Sequence, residues 1–190
     1  MINHYTSPVK ILFFTVCLFG LLVFWYWADA NDYFQRSYRD LTETEQVPFK
    51  YNTPEGGEDL MNRFRKHFFD SDFFFPRQKV AKVKLFKNIP MLGVFTGKTL
   101  KQNMIEEFLK FCNDTVNFDW GETTWGLEES EYYLRLYNAD NNVIGKIYLC
   151  LEDCHMTDAR PFCPAMKFGM LSLTGYATIT TLIHNNDNWE

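Results

Sequence analysis

Residues 132–151 read YYLRLYNADNNVIGKIYLCL, and this stretch decides the fold class. Two runs rich in aromatic and aliphatic residues, 132–137 and 143–151, flank a polar segment at 138–142. This arrangement is typical of a β-hairpin, because turn residues separate two segments that favour extended backbone. One face of the second strand is apolar: Val143, Ile147, Leu149 and Leu151. The stretch therefore predicts an antiparallel sheet with one buried face.

A further strand is expected before the hairpin, at residues 79–87. Val83 and Leu85 alternate there with Lys82 and Lys84. A period of two predicts a half-buried strand with a basic outer face. The short apolar run at 89–95 predicts one more strand.

Three helices are expected around this sheet. One spans residues 60–69 with Asp59 as its cap, and the second begins at Thr99 and carries an apolar stripe. Residues 173–183 fit either a strand or a helix; a helix is favoured because Ser172 can cap it. The predicted class is α+β: a hairpin-containing antiparallel sheet packed on one to three helices.

The N-terminal segment at 11–28 reads ILFFTVCLFGLLVFWYWA and carries no charge. As a helix it would be about 27 Å long, close to the roughly 30 Å hydrocarbon core of a bilayer. Trp25, Tyr26 and Trp27 lie at its far end, where aromatic rings favour the membrane–water interface. Since every face is apolar, a transmembrane anchor is favoured over a buried core helix. The lipid bilayer is thus the first predicted partner.

Two alternatives stay open for this segment. Ala28-Asp29-Ala30 also fits a signal-peptidase site, so a cleaved secretory signal competes with an uncleaved signal-anchor. The flanking charges do not decide the orientation by the positive-inside rule. A short head before a long soluble tail favours a single-pass signal-anchor, with the C-terminal domain outside the cytoplasm.

The chain divides on these patterns into four segments: a head at 1–10, the anchor at 11–28, a polar tether at 29–57 and one soluble domain at 58–190. About 130 residues suffice for a domain with its own core. The net charge of −5 gives no reason to expect nucleic-acid binding. No cofactor is indicated.

Residues 93–99 read GVFTGKT and resemble the phosphate-binding loop of nucleotide triphosphatases. That loop needs four residues between its glycines, whereas this segment has three, so nucleotide hydrolysis is disfavoured. The remaining expectation is weak anion binding by Lys98 and Thr99 at the N-terminus of the following helix.

Three cysteines and a histidine lie close together in the C-terminal third, at Cys150, Cys154, His155 and Cys163. The second ligand pair of a structural zinc site is missing, so no metal site is predicted. In an oxidising compartment Cys154 and Cys163 could form a disulfide, and free thiols are the alternative.

Charge is segregated along the domain. Residues 73–105 carry seven basic and no acidic side chains, whereas residues 111–134 carry six acidic and no basic ones. A basic strand face near a bilayer could contact anionic headgroups. The alternative is that the two charged surfaces face each other within the fold or are simply solvated.

The acidic stretch contains NFDWGETTW at 117–125. Asp119, Trp120, Glu122 and Trp125 form a candidate loop for a protein partner, since aromatic anchors with a polar rim are typical of interfaces. The alternative is that the tryptophans pack inward while the acids stay solvated.

We find no catalytic motif in the sequence. The leading hypothesis is a single-pass membrane-anchored protein that acts by binding, of an envelope accessory or immunity type. A carboxylate-dependent hydrolase of cell-surface polymers, using acids of the same loop, is the first alternative. A structural envelope subunit with an exposed apolar patch is the second.

Overall fold

The computed structural model describes residues 8–30, 57–90, 92–121, 126 and 129–190. By its internal contacts the chain divides into two compact units, residues 1–36 and 37–190. Most of the predicted head and tether lies outside the described residues.

Helix α1, Pro8–Ala30, is the described part of the first unit. From Pro8 to Ala28 its mean hydropathy is 2.2, and only 6% of the residues in its most apolar 18-residue stretch are buried. The Thr15 hydroxyl donates to the Ile11 carbonyl at 2.9 Å, so this polar group is satisfied within the helix itself. By length and composition α1 can cross a membrane, a test that an N-terminal signal sequence also passes.

The second unit is built on five antiparallel strands in the spatial order β2-β1-β3-β4-β5. The strands are β1 Lys82–Lys87, β2 Lys98–Thr99, β3 Tyr132–Tyr137, β4 Val143–Cys150 and β5 Met156–Arg160. The predicted hairpin is β3–β4. Its turn is closed by the Asn138 side chain, which accepts from the backbone N–H groups of Asp140 and Asn142 at 3.1 and 2.9 Å.

Among the described residues three helices accompany the sheet, so the α+β class is confirmed. They are α2 Gly57–Lys66, α3 Ile105–Asn113 and α4 Leu173–His184. The helical alternative for 173–183 is confirmed with its cap, because the Ser172 hydroxyl accepts from the Gly175 N–H at 3.0 Å. The apolar faces of α3 and α4 contribute to one core with the inner face of the sheet, which includes Val83, Leu134 and Ile147.

Both edges of the sheet are occupied by other parts of the chain. The N–H of Thr99 in β2 donates to the Glu190 carbonyl at 2.9 Å, and the Glu190 N–H returns a bond of 2.7 Å. On β5 the Thr157 N–H donates to the Gly169 carbonyl at 2.8 Å. Unpaired edge groups would invite association with other chains, so these short segments protect the sheet.

Several predicted boundaries are wrong. Thr99 does not begin a helix: it lies in β2, and α3 begins at Ile105 after a 3₁₀ turn at Gln102–Met104. The apolar run at 89–95 is not a strand, since it contains a 3₁₀ turn at Gly93–Thr96. Strand β5 was not predicted, because its sequence MTDAR lacks an apolar alternation.

Candidate functional site

The first two residues of the predicted partner loop lie on the surface of the second unit. Asp119 is exposed, and its N–H donates to the Met170 carbonyl at 2.8 Å. Trp120 is half-buried, with its ring centroid 5.7 Å from that of Phe64 and 5.5 Å from that of Phe168. Trp120 thus belongs to an aromatic cluster that holds α2 on the domain. Glu122 and Trp125 lie outside the described residues.

Two cations flank the Trp120 ring. The Arg65 guanidinium is 5.7 Å and the Lys167 ammonium 5.4 Å from the ring centroid. Lys167 also donates to the Thr115 carbonyl at 2.9 Å and to the Phe118 carbonyl. Burial lowers the pKa of Lys167, and the nearby Asp119 carboxylate partly opposes this. The start of the acidic loop is therefore fixed by basic side chains of the same domain.

One acid of the charge-segregated stretch has a structural role. The Glu131 carboxylate accepts from the Leu151 N–H at 2.6 Å and from the Glu152 N–H at 3.3 Å, beyond the end of β4. It therefore anchors the segment after the hairpin and is not a spare surface charge.

The cysteines pair differently from the prediction. Cys154 forms a disulfide with Cys150, at a Cα–Cα distance of 5.6 Å, and not with Cys163. Cys163 is a buried free thiol whose sulfur lies 3.9 Å from the Cys112 carbonyl oxygen. Burial raises the pKa of Cys163 to about 11 and also raises that of Cys112. The predicted Cys154–Cys163 pairing is therefore wrong, because Cys163 lies in the core.

The weak anion site predicted at Lys98 and Thr99 loses its physical basis. Both residues form strand β2, where Lys98 faces Leu85 and Thr99 faces Lys84. The N–H of Thr99 donates to Glu190 and that of Leu100 to Val83. Because these amides are paired within the sheet, no helix N-terminus is present here to receive an anion.

An ordered set of cations and aromatic rings, not predicted from the sequence, lies on the outer face of the sheet and is called here the cation–aromatic face. Tyr133 stacks on Phe86 at 5.0 Å between ring centroids. The Arg135 guanidinium lies 5.3 Å from the Tyr133 ring, and the Lys146 ammonium lies 4.8 Å from both Tyr133 and Tyr148. Arg135 and Lys146 are each only 3% exposed. The alternation of Tyr133, Arg135 and Tyr137 could have shown this face.

The edge of this cation–aromatic face is more accessible. Lys82 is half-buried; its ammonium lies 4.7 Å from the Tyr137 ring and donates to the Asn141 side chain. Burial lowers the pKa of Lys82, and the neighbouring Lys84 charge adds to this. Seven basic side chains and one acid, Asp158, occur in the five strands. The sheet is cationic although the whole chain is acidic.

A groove of about 360 Å³ lies between α3 and α4. Phe108, Phe111 and Leu182 line its apolar part, and Glu107 and Asn188 contribute polar atoms. It holds a single carboxylate, so it does not offer the paired acids that glycoside hydrolysis needs. Within the described ranges, no group of three or more His, Cys, Asp or Glu side chains could hold a metal ion.

No model of a known protein family, no curated protein and no solved structure matches the chain. Function therefore has to be inferred from the chemistry of its own residues.

Proposed function

We propose that this chain is a single-pass membrane-anchored protein that acts by binding a protein partner. The observation that carries the proposal is helix α1: an apolar helix from Pro8 to Ala28 whose side chains are almost all exposed. Exposed apolar surface of this extent is costly in water and favourable in hydrocarbon. A chain of this kind holds its folded α+β domain at the membrane surface.

The C-terminal domain lies outside the cytoplasm in this proposal. The Cys150–Cys154 disulfide supports that side of the membrane, because disulfides persist mainly in oxidising compartments. Protease added to intact cells would then digest the domain, whereas a cytoplasmic domain would stay protected until the cells are opened.

Membrane anchoring is tested by placing charge in the middle of α1. Leu18→Arg with Leu21→Arg should move the protein into the soluble fraction at alkaline pH, since each Arg costs about 2.5–3.5 kcal/mol at a helix centre in lipid. Leu173→Arg is the matched control, because Leu173 is an exposed leucine on α4. Release of the unmodified chain without detergent would contradict the proposal.

The partner surface is assigned to the acidic loop around Asp119, an exposed carboxylate held on a rigid base by Met170 and Trp120. Reversing charge with Asp119→Lys and Glu122→Lys should remove the partners that co-purify with the chain from solubilised membranes. Glu106→Lys with Glu107→Lys is the control, since both acids are exposed on α3. An unchanged set of partners would exclude the acidic loop as the binding surface.

A further inference from the structure

The connection between β1 and β2 carries three exposed apolar side chains between residues 89 and 95. Ile89 is 43%, Leu92 60% and Phe95 73% exposed, and together they define the apolar tip. Elsewhere in the described part of residues 57–190, large exposed apolar side chains occur singly along the sequence or, in Phe69 and Phe74, several residues apart. Met91 is outside the described residues and is not counted in the tip. Grouped exposed apolar residues mark an interaction surface.

The backbone under the apolar tip is closely fixed. The Gly93 N–H donates to the Ile89 carbonyl at 2.7 Å, and the Phe95 N–H donates to the Leu92 carbonyl at 3.1 Å. The Thr96 hydroxyl donates to the Gly93 carbonyl at 2.6 Å and accepts from the Lys87 N–H at 2.8 Å. The three apolar side chains are thus presented by an ordered turn, so little ordering is required when they enter another medium.

Glycine at position 93 is needed for this geometry. A Cβ built there would lie 2.4 Å from the Lys87 carbonyl oxygen, because the turn folds back on the end of β1. A side chain at this position would push the turn away from the end of β1.

Lysines stand at the base of the apolar tip. Lys87 ends β1 and Lys98 begins β2, and both are exposed; Lys84 and Lys101 are half-buried nearby in sequence.

We infer that the apolar tip inserts into the interface of an anionic bilayer, with Lys87 and Lys98 contacting lipid phosphates. Apolar residues bordered by lysines are the chemistry of interfacial membrane binding, and the membrane anchor proposed for this chain favours a bilayer over a protein as the occupant. The inference rests on the proposed membrane anchoring, which keeps the domain near a bilayer.

The experiment uses the full chain reconstituted in vesicles that carry a lipid-attached fluorescence quencher. In a Cys17→Ser background, Leu92→Cys or Phe95→Cys receives an environment-sensitive dye, and Leu173→Cys is the exposed control outside the tip. The buried thiols and the disulfide do not compete for the label. With phosphatidylglycerol in the bilayer, labels on the tip should be quenched about twofold or more strongly than the control label.

A second pair of variants tests the lysines. Lys87→Glu with Lys98→Glu should abolish the extra quenching seen with phosphatidylglycerol over phosphatidylcholine alone, while Lys110→Glu, an exposed lysine on α3, should leave it intact. Equal quenching in neutral and anionic vesicles would overturn the assigned role of the lysines. A blue shift of the Leu92 label without lipid quenching would indicate a protein contact and overturn the inference.

The unmodified chain labelled at Cys17, which lies in α1, separates the two proposals. Quenching at Cys17 without quenching at Leu92 refutes tip insertion and leaves the anchoring intact. Absence of quenching at Cys17 refutes the anchoring itself.

Discussion

Replacing Phe64 by alanine should detach helix α2 from the domain without unfolding the rest. The Phe64 ring is 1% exposed and makes edge-on contacts with Trp120, Phe162 and Phe168, at centroid distances of 5.7, 5.7 and 5.1 Å. A buried Phe→Ala change costs about 3–5 kcal/mol, and each lost aromatic pair accounts for about 0.5–1.5 kcal/mol of such a loss. We expect the Phe64→Ala change to lower the stability of the α2 attachment by about 4 kcal/mol.

This cost falls on a separate cluster and not on the main core. Phe64 and its aromatic neighbours form their own group, distinct from the core that α3 and α4 share with the sheet. A loss of about 4 kcal/mol corresponds to about 10³-fold, so amides of α2 should exchange with deuterium up to that much faster. Amides of β3 and β4 should keep their protection.

Hydrogen exchange with mass spectrometry on the full chain in detergent measures both regions at once. Phe69→Ala is the control, because Phe69 lies just beyond the same helix and is 87% exposed; it should change stability by less than about 0.5 kcal/mol. Equal loss of protection in α2 and in the hairpin would refute the separate cluster. Unchanged exchange in α2 would refute the cost assigned to Phe64.

Three further predictions concern the helix cap and the cysteines. Ser172→Ala should lower the free energy of unfolding by about 1 kcal/mol in denaturant titration, since the hydroxyl caps α4. Stability should fall as pH rises from about 9 to 11, because folded Cys163, with its raised pKa of about 11, retains a proton that the unfolded chain loses; comparing Cys163→Ala at both pH values isolates this loss. Cys150→Ser with Cys154→Ser should cost about 2 kcal/mol for so short a loop, and an unchanged melting temperature would contradict it.

The central part of the sheet could be predicted because its local signals agree with the tertiary structure. The β3–β4 hairpin has turn residues, apolar alternation and strand lengths that indicate one answer, and Ser172 gives α4 a visible cap. The helix predicted to begin at Thr99 was wrong for the opposite reason. Its capping pattern favours a helix locally, but the chain terminus at Glu190 supplies a strand partner that no local pattern reveals.

The candidate site was predictable only in part. Asp119 is exposed as expected, whereas Trp120 packs against Phe64 in α2, far away in sequence. A tryptophan in a polar stretch carries no local signal of whether its ring turns inward. The disulfide illustrates the same limit, since spacing suggested Cys154–Cys163 and no local pattern shows that Cys163 is buried in the core while Cys154 pairs with Cys150.

The basic residues of the sheet have two different physical roles in the fold. Arg135 and Lys146 are buried on the outer face of the sheet, where their cationic groups lie against tyrosine rings. Lys87 and Lys98 remain exposed beside the apolar tip, where they can meet an external anion. Because some basic residues of the sheet are buried and others exposed, the net charge of the strands overstates the basic surface available to a partner. Reversing the two exposed lysines should therefore alter lipid contact with little loss of stability, whereas removing a buried cation should destabilise the domain.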